Sequence, residues 1–137
     1  MSSPKARILC TDDDADTREL IIYILTRQGY EMTCTDNANE AIALVQKERF
    51  DLLLIDTWLP GISGPEFTRR LREFDVKTPV LFYSAAAYDS DKENARSAGA
   101  QGYLVKPVAN DDLISEVARL IAESKIAKPV QLIVSVA

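Results

Sequence analysis

The feature that most constrains this chain is a series of short apolar runs that break off abruptly at polar residues and are separated by stretches of helical periodicity. Residues 6–11 (ARILCT) form the first run and stop at Asp12, Asp13 and Asp14, as a buried strand does on reaching solvent. Residues 15–28 follow with Leu20, Ile21, Ile24 and Leu25, widened by Ile22 and Tyr23, which predicts a broadly buried helix stopped by Gly29. Tyr30, Met32 and Cys34 alternate with Glu31, Thr33 and Thr35, the period of a half-exposed strand. Asn37 with Glu40 resembles a capping box, and Ala38, Ala41, Ile42 and Val45 fall at helical spacing behind it. DLLLID at 51–56 is a second continuous apolar run, bounded by the Leu59-Pro60-Gly61 turn. Pro65 suits the first turn of a third helix, with Phe67, Leu71 and Phe74 as its buried stripe. PVLFYS at 79–84 is the next strand, residues 88–98 a polar small-residue helix closed by Gly99, and residues 102–105 the last strand. Asn110 caps a final helix, with Asp111 and Asp112 against its N-terminal dipole and Leu113, Val117, Leu120 and Ile121 facing inward. Five strands alternating with five helices through short connections predict an α/β fold, a doubly wound parallel sheet covered on both faces.

Composition narrows the chemistry. The chain has 137 residues, enough for one sizeable core, and shows no internal repeat or interior linker that would mark a second domain. With 16 basic against 21 acidic residues the net charge is -5, so the broad positive field needed for non-specific nucleic-acid binding is missing. No direct nucleic-acid partner is expected. The absence of histidine excludes imidazole-activated nucleophiles, histidine zinc sites and a phosphohistidine on this chain, leaving carboxylates, hydroxyls and lysine. Cys10 and Cys34 are far apart in sequence and form neither a redox motif nor a zinc knuckle, and they read as buried free thiols. MSSPKAR lacks the apolar core of a signal peptide, and no stretch reaches the ~18 apolar residues of a membrane span. A cytoplasmic location and no membrane partner are expected.

In open parallel sheets, ligands bind beyond the carboxyl ends of the strands. Those ends carry Asp12 and Asp13 after the first strand, Asp56 after the third, Ser84 after the fourth and Lys106 after the fifth. Carboxylates brought this close repel one another, and without a cation one tends to take up a proton. An all-oxygen donor set selects Mg2+, with Mn2+ able to substitute, over zinc or copper. Such a site stays open to an incoming oxygen ligand, and a phosphoryl group fits it, because Mg2+, the Lys106 ammonium and the Ser84 hydroxyl can share its equatorial charge. Asp56 is then the nucleophile, forming an aspartyl phosphate.

These residues resemble a known family. The DDD run, DLLLIDTWLPGISG around Asp56, PVLFYSA at Ser84 and GYLVKP at Lys106 are similar to the receiver domain of two-component response regulators, over about residues 6–124 and in the same order. The resemblance implies a flavodoxin-like, chemotaxis-regulator-like sheet with strand order 2-1-3-4-5. It implies that Asp56 accepts phosphoryl from a sensor histidine kinase or a histidine phosphotransfer protein, and that Asp12, Asp13, Asp56 and the backbone carbonyl of Trp58 hold Mg2+. Lys106 pairs with the acceptor and later with the phosphoryl group. Ser84 occupies the switch hydroxyl position and Tyr103 the switch aromatic, and the Lys106-Pro107 bond is cis. Side chains at the Trp58 and Ala86 positions govern water access to the acyl phosphate, with Trp58 as a shield. The implied activity is regulatory, catalysing only its own phosphorylation and dephosphorylation, with output through association of the helix 4, strand 5 and helix 5 face with a target protein or a second copy. Val108, where phenylalanine is frequent, and the bulk of Trp58 depart from the common pattern.

Other readings of the same residues are less well served. A haloacid-dehalogenase-like phosphohydrolase shares the strand-end aspartate but needs a second acid two residues on, where this chain has Trp58. A flavodoxin-like cofactor binder needs a phosphate-cradling first loop, and TDDDADT repels phosphate. An unphosphorylated receiver that acts by binding alone is disfavoured because no essential position is missing. Asp14 and Asp16 read as loop and cap residues, and Tyr83, Phe82, Phe67 and Phe74 as core or partly exposed structure. Residues 1–124 are expected to form the receiver and 125–137 a C-terminal extension without a separate output domain, in which Pro129 ends any helix and VQLIVSVA has strand propensity.

Overall fold

The computed structural model describes residues 4–136, with side chains described as far as Ile126. The elements alternate as β1 (Arg7–Thr11), α1 (Ala15–Thr26), β2 (Glu31–Thr35), α2 (Ala38–Lys47), β3 (Leu52–Ile55), α3 (Gly64–Arg72), β4 (Val80–Ser84), α4 (Asp89–Ala98), β5 (Gly102–Val105) and α5 (Asn110–Val136). All strand pairs are parallel, and the order is β2-β1-β3-β4-β5, the flavodoxin-like arrangement.

The central strands are apolar throughout because both of their faces are buried. Successive side chains point to opposite faces, so each run divides its residues between two cores. Ile8, Cys10, Leu52, Leu54, Leu81 and Tyr83 face α1 and α5, where Ile21, Leu25, Leu113 and Val117 meet them. Leu9, Leu53, Ile55, Val80 and Phe82 face the other way, onto Ala38, Ala41, Phe67, Leu71 and Ala95 from α2, α3 and α4. The caps follow local chemistry. Asn37 accepts from the Glu40 amide at 2.8 Å, Ser63 caps α3 ahead of Pro65, and Gly99 closes α4 at φ 116°, a conformation that favours glycine.

Several expectations are corrected. Helix α1 buries only Ile21, Ile24 and Leu25, whereas Leu20, Ile22 and Tyr23 are exposed, because a helix lying on one sheet face hides a single stripe. Phe74 lies past the end of α3 and is half exposed. The first carbonyl of α5 to accept helical bonds belongs to Ala109, which makes Asn110 the first helical residue rather than the cap. Helix α5 continues through Pro129 to Val136 instead of ending before it, so the proline removes one amide donor from the ladder without stopping the backbone path. The side chains of VQLIVSVA lie outside the described residues. Cys10 and Cys34 are free but not isolated, since the β1–β2 register sets them opposite each other. Among the described residues, no helix is long and apolar enough to cross a membrane.

Of the five glycines, the one with least room for a side chain lies where α3 starts. A Cβ on Gly64 would sit 2.3 Å from the Asp56 carbonyl oxygen and 2.8 Å from the Phe82 ring. Gly64 also donates its amide to the Thr57 carbonyl at 2.9 Å. Gly64→Ala is therefore expected to destabilise the fold by about 2–3 kcal/mol, measured by urea unfolding, because backbone rather than a flexible side chain must yield. A loss within the scatter of a surface substitution would contradict this contact.

Candidate functional site

The sheet ladder continues one residue past three of its strands. Asp12 donates its amide to Thr35 at 3.2 Å, Asp56 to Thr11 at 3.0 Å and Lys106 to Ser84 at 2.8 Å. The side chains that the sequence places at strand ends are thereby anchored as if they were strand residues. They converge at the crevice where strand order reverses between β1 and β3.

Ligand oxygens of Asp12, Asp13 and Asp56 lie within 4.8 Å of one another. Asp12 is buried, and its carboxylate accepts from the Asp14 amide at 2.9 Å and from the Lys106 ammonium at 2.9 Å. The same ammonium stands 3.8 Å from Asp56, so it sits closer to Asp12 than to the third-strand carboxylate. Asp13 is exposed at the mouth. Asp14, by contrast, turns away to cap α1, taking the Thr17 amide at 2.9 Å and the Thr17 hydroxyl at 2.6 Å.

Burial, and then the neighbouring Asp12, push the Asp56 carboxyl above the usual carboxylate range, against the opposing pull of Lys106 and the hydroxyl of Ser84. Burial acts to lower the Lys106 ammonium, but the hydrogen bond to Asp12 and the charges of Asp12 and Asp56 outweigh it and leave it raised. The amide of Thr57 holds one Asp56 oxygen at 2.7 Å. Three carboxylates meet one ammonium here, so the cluster is short of positive charge, and its donors are all oxygen. That combination fits a divalent cation of the hard, oxygen-seeking kind.

Ser84 is fully buried, and its hydroxyl accepts from the Ala86 amide at 3.1 Å. Tyr103 is half-buried, stacked on Phe82 with ring centroids 5.6 Å apart, and donates its hydroxyl to the Ala86 carbonyl at 2.6 Å. The Lys106-Pro107 bond is cis. Trp58 is 65% exposed. Two site residues went unnoticed in the sequence. Arg18, one turn into α1, donates to the Asp12 carbonyl at 2.9 Å, and Thr57 contacts Tyr103 through its hydroxyl at 3.2 Å. Only the position of Thr57 directly after a strand-end aspartate could have flagged it.

A parallel β2-β1-β3-β4-β5 sheet with an acidic cluster at its switch point and a lysine and a hydroxyl on the flanking strand ends defines a signalling receiver. The chain belongs to the response regulator receiver domain family, which it matches over residues 8–118. It is 36% identical over 110 residues to the phosphate regulon transcriptional regulatory protein PhoB of Pseudomonas aeruginosa, covering 79% of this chain and 48% of that one. It is 34% identical over 119 residues to the cell cycle response regulator CtrA of Brucella ovis, covering 87% of this chain and 51% of that one. The chain thus spans about half the length of the curated relatives it matches. Among solved structures, the receiver domain of the sensor histidine kinase PA1611 from Pseudomonas aeruginosa, with a magnesium ion in its active-site cleft, superposes with a TM-score of 0.80. Identity to it is 28%, covering 85% of this chain and 98% of that one.

Because its folded-state carboxyl is raised, Asp56 contributes stability while protonated and loses that contribution as pH rises through its folded value. Asp56→Asn is expected to raise the thermal midpoint at neutral pH, on the order of 5 °C. The gain should shrink towards zero as acid protonates the parent. A variant less stable than the parent at pH 7 would show that the carboxylate is not under electrostatic strain.

Proposed function

We propose that this chain is a phosphorylation-dependent switch in which Asp56 accepts a phosphoryl group from a phosphohistidine on a sensor histidine kinase or a histidine phosphotransfer protein. One observation carries the reading. Asp12, Asp13 and Asp56 bring ligand oxygens within 4.8 Å at the crevice, with the Lys106 ammonium 3.8 Å from the Asp56 carboxylate. The family membership and the magnesium of the PA1611 receiver support it.

In this reading a carboxylate oxygen of Asp56 attacks phosphorus, the phosphorus–nitrogen bond to the donor imidazole breaks, and the electron pair leaves with that nitrogen. Asp12, Asp13, Asp56 and the backbone carbonyl of Trp58 would hold Mg2+, for which Mn2+ could substitute, and the ion would neutralise carboxylate and phosphoryl charge. Lys106 then turns from the carboxylates to a phosphoryl oxygen, and Ser84 donates its hydroxyl to another. Tyr103 follows the space that Ser84 controls, which alters the face formed by α4, β5 and α5. Output is association with a target protein or a second copy through that face, in the cytoplasm and without direct nucleic-acid contact. The chain turns over only its own acyl phosphate. Residues 1–124 form the receiver and 125–137 its extension.

Incubation with acetyl phosphate and Mg2+ is expected to add one phosphoryl group to the intact mass, lost in Asp56→Asn and when the metal is chelated. No gain, under conditions where a known receiver reacts, would overturn direct acceptance from small donors and leave binding without phosphorylation as the working function. Trp58 lies two residues past the acceptor and is largely exposed, and Trp58→Asn is expected to hydrolyse its acyl phosphate several-fold faster than the parent. An equal or slower rate removes the shielding role.

A further inference from the structure

Thr57 joins Asp56 to Tyr103. Its amide bonds the Asp56 carboxylate at 2.7 Å, and its hydroxyl lies 3.2 Å from the Tyr103 hydroxyl. Tyr103 in turn donates to the Ala86 carbonyl at 2.6 Å, and the Ala86 amide donates to the Ser84 hydroxyl oxygen at 3.1 Å.

The bond from Tyr103 to Ala86 fixes the direction of the ambiguous contact with Thr57. A phenol has one hydrogen, and the Ala86 carbonyl can only accept, so the Tyr103 hydrogen is committed there. The contact at 3.2 Å is therefore donated by Thr57 to the phenolic oxygen. The donor is held rigidly. Thr57 is only 5% exposed, its amide is taken by Asp56, and its carbonyl accepts from Gly64 at 2.9 Å. Its hydroxyl thus meets Tyr103 from a fixed backbone and can favour only the inward position of the ring.

We propose that Thr57 is a positioning residue that holds Tyr103 inward through its hydroxyl, separately from Ser84 and before any phosphoryl group arrives. This rests on the reading of Asp56 as acceptor and Tyr103 as switch aromatic. Its consequence is a receiver whose resting population already leans towards the inward state. Because coupling between sites is reciprocal, whatever holds Tyr103 inward also favours the state that phosphorylation stabilises. Removing the hydroxyl leaves Tyr103 its bond to Ala86, so the loss is that of one neutral hydrogen bond, about fivefold in the inward-to-outward ratio.

The test is fluorine NMR on protein carrying 3-fluorotyrosine, with the Tyr103 resonance assigned by Tyr103→Phe and no phosphoryl donor present. Thr57→Val is expected to lower the inward-to-outward ratio about fivefold. Thr57→Ser, which restores the hydroxyl without the methyl, is expected to keep the parent ratio. An unchanged ratio in Thr57→Val, or an equal fall in Thr57→Ser, overturns the proposal. If Thr57→Val does not fold, Thr57→Ala removes the same hydroxyl and is read in the same way. Acetyl phosphate labelling of the parent succeeds or fails independently of these ratios, so failure of the acceptor reading and failure of the Thr57 assignment are distinguishable.

Discussion

The site depends on the register between β1 and β3. Thr11 lies opposite Ile55, which sets Asp12 and Asp56 side by side at the next position, one strand spacing of about 4.8 Å apart. A slip of a single residue would turn one of the two carboxylates to the other face of the sheet. The register is in turn held by the cores, because Ile8 and Cys10 pack with Leu52 and Leu54 on one side while Leu9 packs with Leu53 and Ile55 on the other. Apolar packing well below the crevice therefore decides that two like charges must coexist at its floor, and the chemistry of Lys106 and of a bound cation follows from that enforced proximity.

Much of this was legible from residue order. A continuous apolar run ending in aspartate marks a strand buried on both faces whose end reaches solvent, and ARILCT and DLLLID both behave so. Once the sheet is parallel, strand ends share one rim, so Asp12, Asp13, Asp56, Ser84 and Lys106 were expected together without knowledge of any distance. What could not be read was whatever depends on lateral placement. The apolar width of α1 exceeds what one sheet face can cover, and nothing in the pattern says whether Leu20 or Ile21 is hidden. Cys10 and Cys34 are neighbours only through a register between strands separated by a helix. Thr57 and Arg18 carry no motif, and their roles arise from partners 46 residues away in one case and from a backbone carbonyl in the other. Pro129 was read by its local rule, which the backbone of α5 does not obey.

The cysteine pair illustrates how neighbouring groups divide a perturbation. The thiol of Cys10 is pushed up by its hydrogen bond with Cys34 and by burial, and the thiol of Cys34 is drawn down by the same bond, with Arg18 assisting against burial. Arg18 also donates to the carbonyl of Asp12. That guanidinium ties α1 to the carboxyl end of β1, beside the run of acids in the first loop.

The stacking of Tyr103 on Phe82 has a thermodynamic side. Phe82 is wholly buried, and its ring is wedged between the start of α3 at Gly64 and the flat face of Tyr103, the two aromatic planes lying within 2° of parallel. An outward swing of Tyr103, as the proposed switch requires, would uncover apolar ring surface on both partners. Hydration of that surface carries a positive heat capacity, so the balance between the two positions follows a curve in temperature rather than a straight line. In the proposed switch, the balance set by these two rings therefore carries a temperature dependence of its own.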